Sequence, residues 1–340
     1  GLIMTSICSL STRALIGHTA PVQCLHASHD APEVLLSGGT EGVARIWDTR
    51  QSNRAVRSLV VSNESVNSLS LFSSTIVLAV SGTKLLVYDL RRDNIPIVLR
   101  SPSYQPFSGN DELNQVVCDN KRIAVCDDSG SIAIGSWSQN RVVSMESAQI
   151  AGHENICSCV AICPNKSPMI ISGGMDSIIK FWKPNGSCIG LINTAPPSSG
   201  NTIQSSMVHS ITCSGDGVLF AAGLGNSDVL LGSLQTRSEA ARLHGHTGIV
   251  CNVEFAAFRP LDTILSASTD STIVVWNLDP SMQPDTSLAD LSQAEKEVFD
   301  HRLIQTRVLL SAKPNFMTSS RQGNIYVADS TSSITVFNLI

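Results

Sequence analysis

Seven short runs set the rhythm of the chain: VARIWD, KLLVYD, SIAIGS, IIKFWK, DVLLGS, TIVVWN and SITVFN. Within each, apolar residues alternate with polar ones or follow one another directly, the pattern of a short strand covered on one or both faces. Aligned on the aromatic or glycine near their ends, the runs place Trp47, Tyr88, Gly135, Trp182, Gly232, Trp276 and Phe337 at intervals of 41, 47, 47, 50, 44 and 61 residues. Ahead of each run lies another apolar stretch closed by small residues, such as VLLSGG, TIVLAVSG, RIAVCDDSG and VLFAAG. Short strands with small-residue turns at regular spacing predict an all-β repeat protein.

Three of the units share more than spacing. Gly17-His18 leads to Ser37 and Trp47, Gly152-His153 to Ser172, Asp176 and Trp182, and Gly245-His246 to Ser266, Asp270 and Trp276. From His to Trp the separation is 29, 29 and 30 residues, and from Ser to Trp it is 10 each time. Glu41 stands in the first unit where the other two carry Asp, and its extra methylene predicts a different hydrogen-bond network there.

This frame resembles the WD40 repeat, the four-stranded blade of a β-propeller. The resemblance implies an all-β, seven-bladed WD40 propeller as a single domain over 1–340. Its blades fall near 18–55, 56–95, 96–148, 149–192, 193–237, 238–280 and 300–340, the last completed by 11–17. The stretch STRALIGH, ahead of the first Gly-His, is expected to supply the outer strand of the last blade and close the ring, which removes an unpaired edge. Three segments read as loops: the Pro/Ser/Gly-rich stretches 100–111 and 193–206, and 279–300, where Leu288, Leu291, Val298 and Phe299 give a weak helical stripe.

On paper His, Ser and Asp suggest a hydrolase. A catalytic triad needs an exposed nucleophile and an oxyanion hole, and a set repeated in several units argues against one active site. The resemblance implies a structural role instead. His18, Ser37 and Trp47, His153, Ser172, Asp176 and Trp182, and His246, Ser266, Asp270 and Trp276 would form chains from acid to His to Ser to indole. No enzyme activity, cofactor or metal is expected. Asp127-Asp128 sit at a turn and are expected to be solvated.

A smaller pattern is more informative. Trp47-Asp48-Thr49-Arg50 and Tyr88-Asp89-Leu90-Arg91 fall in consecutive units at the same phase, so Arg50 and Arg91 should lie on one rim of the disc. Arg suits an interface, since its planar fork binds carboxylates or carbonyls bidentately. The alternative is an Arg that only caps a strand end or pairs with the nearby Asp. The paired motif resembles the signature of substrate receptors of cullin–RING ubiquitin ligases. That resemblance implies docking on the adaptor damage-specific DNA-binding protein 1 through Asp48, Arg50, Asp89 and Arg91. Stretches outside the motifs, among them ELNQVVCDNKRIAVCDDSGSIAI, GHENICSCVAICP, HGHTGIVCNVEF and NIYVADSTSSITVFNLI, resemble a family of seven-bladed WD-repeat proteins counted among such receptors. The residues ahead of the first blade read as strand, not as the helix that many such receptors insert into the adaptor. The rival reading is a general scaffold binding a peptide or histone tail at the central channel.

Composition narrows the partners. Charged residues make up 15% of the chain and the net charge is −5, with no Lys/Arg tract, so nucleic acid is not expected. With no secretory segment or long uncharged apolar run, a monomeric intracellular protein of the cytoplasm or nucleus is expected. The ten cysteines include no CxxC pair and read as buried free thiols, with Cys157 and Cys159 sharing one strand face.

Overall fold

Each run pairs with its neighbours in sequence, and seven sheets result, antiparallel throughout except for one two-residue strand at the edge of blade one. The computed structural model describes residues 12–28, 31–50, 53–72, 75–91, 98–99, 104–138, 141–144, 150–164, 169–195, 206–278 and 303–338. Blade one comprises Val22–Ala27, Val34–Gly39, Val43–Asp48 and Arg57–Val60, with Val98–Leu99 added in parallel outside. Blade two comprises Val66–Phe72, Ile76–Ser81, Lys84–Asp89 and Tyr104–Ser108. Blade three comprises Leu113–Cys118, Arg122–Asp127, Ser131–Ser138 and Arg141–Ser144, with Ile150–Ala151 also on the third strand. Blade four comprises Cys157–Cys163, Met169–Gly174, Ile178–Trp182 and Cys188–Asn193. Blade five comprises Val208–Cys213, Leu219–Leu224, Asp228–Ser233 and Ser238–His244, and blade six Val250–Phe255, Thr263–Ser268, Thr272–Asn277 and Ile304–Leu309. Blade seven comprises Pro314–Ser319, Asn324–Asp329 and Ser333–Asn338, and Thr12–Ile16 is its outer strand.

The first strand of every blade is innermost and packs on the first strand of the next, and blade seven packs on blade one. The fold is therefore a closed seven-bladed propeller. The chain's own start closes it: Thr12–Ile16 pairs antiparallel with Ser333–Phe337, and Leu15 is fully buried there. Apolar clusters fill each gap between blades, which is why the second and third strands are buried on both faces. Blade five lacks an anchor aromatic because Phe220, opposite Gly232, fills the space. A Cβ on Gly232 would collide with that ring.

Several expectations change. Tyr104–Ser108, within the stretch read as a loop, is the outer strand of blade two. Its register slips between Tyr104 and Phe107, around Pro106, and an outer edge tolerates a residue with no N–H to donate. Cys157 and Cys159 do not share a face: a bulge between them turns Cys157 toward blade three and Cys159 toward blade five. Asp127 is buried rather than solvated, accepting Ser129 Oγ–H at 2.6 Å and Ser131 N–H at 2.9 Å. Residues 196–205 and the helical stripe near 288–299 lie outside the described residues.

Candidate functional site

In the three Gly-His blades the ring enters from the loop before the inner strand. In blade one the Trp47 indole N–H donates to Ser37 Oγ at 2.8 Å, and His18 Nε2 lies 2.7 Å from the same oxygen. An ionised Glu41 can only accept, so the neutral ring carries its proton on Nδ1 and Nε2 accepts the Ser37 hydroxyl proton. His18 Nδ1–H then donates to Glu41 Oε1, 2.6 Å away. Blade four repeats the chain through Trp182, Ser172, His153 and Asp176 at 2.9, 2.8 and 3.0 Å. Blade six does so through Trp276, Ser266, His246 and Asp270 at 2.8, 2.8 and 3.2 Å. All three serines are fully buried.

The acid makes the difference between blades. Asp176 and Asp270 also accept the N–H after the histidine, from Glu154 at 3.1 Å and Thr247 at 2.9 Å. They accept the N–H two residues ahead as well, from Ile178 at 3.1 Å and Thr272 at 3.0 Å. These bonds hold Ser177 and Ser271 at φ of 61° and 63°, where a side chain is disfavoured. Blade one has Gly42 at that turn, φ 74°, and the longer Glu41 leaves Oε2 buried with no partner. Burial lowers the His18 pKa against the pull of Glu41. Burial acts the same way on His153, but Cys157 and Asp176 outweigh it and the pKa rises. Asp270 is held well below the usual carboxylate range: burial opposes this, and bonds from His246, Thr272 and the Thr247 N–H prevail.

The second constellation lies at the other end of the strands. Register runs from Phe72 across Ile76 to Asp89, so Asp89 stands on the face where the inner strands end, as Asp48 does in blade one. Arg50 folds back on Asp48, with Nε to Oδ1 at 3.1 Å, Nη2 to Oδ2 at 2.9 Å and its N–H to Oδ1 at 3.0 Å. Arg91 repeats this on Asp89 at 2.9, 2.7 and 3.0 Å. The two side chains are 57% and 49% exposed. The guanidinium of Arg50 lowers the Asp48 pKa, and both arginines are raised in turn by their aspartates.

Two further arginines bind these turns from the preceding blade. Arg13, in the outer strand of blade seven, donates to the Thr49 carbonyl at 2.6 Å. Arg57, opening the outer strand of blade one, donates to the Leu90 carbonyl at 3.2 Å. Each reaches the middle residue of an Asp-x-Arg turn in the next blade. The sequence held a signal, since the two lie 44 residues apart, about one repeat, each ahead of its motif.

Nearer the axis, all seven inner strands carry a bulge at the same place. A side chain at or beside the bulge donates to a carbonyl of the next blade. Asn67 reaches Leu113 at 3.0 Å, Asn114 reaches Cys157 at 3.1 Å, and Ser158 reaches Val208. Cys251 reaches Pro314 at 3.4 Å, Asn315 reaches Val22 at 2.9 Å and Cys24 reaches Val66 at 3.3 Å. At the junction of blades five and six the bulged residue is His209, and no such bond is present among the described residues.

The WD domain, G-beta repeat family matches residues 9–48, 145–183 and 237–277. With the sheet order, this defines a seven-bladed WD40-repeat propeller, a scaffold for protein partners. Over 93% of its length the chain is similar to the WD repeat-containing protein 53 homolog of Dictyostelium discoideum, 26% identical and covering 90% of that protein. It is also similar to the guanine nucleotide-binding protein subunit beta of Arabidopsis thaliana, 28% identical over 49% of this chain and 44% of that one. The small ribosomal subunit protein RACK1 of Neurospora crassa is 26% identical over 39% of each chain. Among the described residues no helix is long and apolar enough to cross a membrane, and no three metal-ligating side chains come together.

Proposed function

We propose that this propeller is a non-enzymatic module that presents a protein substrate to a cullin–RING ubiquitin ligase. It docks on the adaptor, damage-specific DNA-binding protein 1, through Asp48, Arg50, Asp89 and Arg91. The observation that carries this reading is the pair of matching turns: one geometry, on one face, in neighbouring blades, with side chains 57% and 49% exposed. Each guanidinium is already held by its own aspartate, so docking freezes little further motion. Such a fork suits carbonyls and carboxylates of a partner. The His–Ser–acid–Trp sets take no part in chemistry on this reading, because their serines are fully buried and the hydroxyls are committed to indole and imidazole. The chain acts as one closed domain, as a monomer without a cofactor, in the cytoplasm or nucleus.

The test is to recover the tagged protein from cells under mild conditions and identify its companions by mass spectrometry. The adaptor is expected among them. A reproducible set of companions without it would leave the general peptide-binding scaffold as the better reading.

A further inference from the structure

Inside the ring the inner strands enclose a channel of about 590 Å³. Its mouth lies among the turns that follow those strands, at Asp119, Gly215 and Arg321, on the face of the Asp-x-Arg turns. Three cysteines line it: Cys24, Cys118 and Cys213. The first two meet oxygen. Cys24 donates to the Val66 carbonyl at 3.3 Å, and Cys118 Sγ lies 3.1 Å from Ser70 Oγ. Cys213 meets another thiol, with its Sγ 3.3 Å from Cys163 Sγ.

The repeat brings these two sulfurs together. Cys163 ends the inner strand of blade four and Cys213 ends that of blade five. They lie 50 residues apart, the same interval as the anchors Trp182 and Gly232 of those blades, and the two inner strands pack side by side. Cys163 is fully buried in the apolar cluster between the blades, whereas Cys213 packs on that cluster and is partly exposed. A small molecule in the channel thus reaches one sulfur of the pair and not the other. No other cysteines among the described residues combine these features. Cys188 is exposed, but its thiol only donates to the Gly190 carbonyl. Cys126 and Cys157 meet each other, but both are sealed in the interior. Burial and the neighbouring Cys163 raise the Cys213 thiol pKa, so the pair rests as two thiols at neutral pH. Closing the gap to a disulfide moves the sulfurs by about 1.3 Å, within reach of small side-chain rotations.

We propose that Cys163 and Cys213 form an oxidation site, at which hydrogen peroxide converts two thiols into a disulfide that staples blade four to blade five. The Cys213 thiolate attacks one peroxide oxygen and breaks the O–O bond. Its sulfur becomes a sulfenic acid, and the released hydroxide takes up the proton that the thiol gave and leaves as water. Cys163 then attacks the Cys213 sulfur. The S–S bond forms, the S–O bond breaks, and the hydroxyl leaves with the Cys163 proton as a second water. The two sulfurs together lose two electrons, and the peroxide is reduced. Joining positions 50 residues apart restricts the unfolded chain, so the oxidised ring resists heat better than the reduced one. The site does not involve the arginine rim and does not depend on the ligase reading.

The test treats the folded full chain with hydrogen peroxide, blocks the remaining thiols with iodoacetamide in denaturant, and digests the protein without reduction. Mass spectrometry should find Cys163 and Cys213 joined, with the loss of two hydrogens, and dithiothreitol should separate them. The oxidised protein should melt at a higher temperature than the reduced one. In Cys163→Ala the second thiol is gone, so dimedone, which traps sulfenic acids, should mark Cys213. In Cys213→Ser neither a bond nor a dimedone mark should appear at Cys163, and this variant serves if the other does not fold. Cys188→Ser should oxidise as wild type does. Absence of the bond in the treated folded chain, its formation only after unfolding, a different cysteine pair in its place, or an oxidised ring that melts no higher would overturn the proposal.

Discussion

A serine hydroxyl that already takes an indole proton has one proton left to give, and in three blades a buried histidine receives it. Removing the His246 ring leaves the buried Ser266 hydroxyl proton without its acceptor and takes one of several donors from Asp270. His246→Ala should therefore cost about 1–3 kcal/mol, read from chemical or thermal unfolding. A variant as stable as wild type would show that the relay adds nothing. The pH dependence of two of these histidines differs in sign. The folded His18 pKa lies below its ordinary value of 6.5, so the folded state binds that proton less tightly than the unfolded chain. Its contribution is present above 6.5 and is lost as the pH falls through the folded value. The folded His153 pKa lies above 6.5, so its contribution is full below that pH and is lost as the pH rises through the folded value. Melting temperature against pH should show a smaller acid-side loss in His18→Gln and a smaller alkaline-side loss in His153→Gln. Curves parallel to wild type would contradict the assignment.

Elements depend on strands far apart in sequence. Thr12–Ile16 covers the edge of Ser333–Asn338 and buries Leu15. Burying one leucine is worth about 1.5–3 kcal/mol, and the backbone pairing adds to it. Deleting residues 1–16 should lower stability by several kcal/mol and bare a strand edge, so the truncated chain should melt earlier and associate. A truncated chain that melts at the wild-type temperature would remove this strand from the account. Asn315→Leu, which cuts the bond from blade seven to Val22, should cost about 1–3 kcal/mol in the same assay. Closure was legible because the strand-like STRALI precedes Gly17-His18, and the anchors were legible because continuous apolar runs end at fixed phase. The outer strand Tyr104–Ser108 was not, since proline, serine and glycine hide an edge strand that needs little burial. The bulges were hidden for another reason. Bonds between blades there come from Asn, Ser and Cys alike, so backbone geometry repeats while residue type does not. One extra residue also reverses alternation, which is how Cys157 and Cys159 came to face opposite blades. Arg50 and Arg91 were legible as a pair, but their grip on Asp48 and Asp89 and the braces from Arg13 and Arg57 needed the sheets assembled.

Across the whole molecule the two ends of the strands have different tasks. The histidines sit at the ends where the inner strands begin, buried and bonded within their own blades. The Asp-x-Arg turns sit at the opposite face, tied across blades seven, one and two by Arg13 and Arg57, beside the mouth of the channel. That face carries two half-exposed arginines held by their own aspartates, and it is where a partner should be held. The most direct test is to measure adaptor binding by wild type beside a folded variant with Arg50→Ala and Arg91→Ala. The exchange exposes Asp48 and Asp89 as bare acids and removes both forks, while neither arginine carries the fold. A wild-type melting profile and an affinity weakened on the order of a hundredfold are expected. Unchanged affinity, or a wild-type protein that does not bind the adaptor, would contradict it.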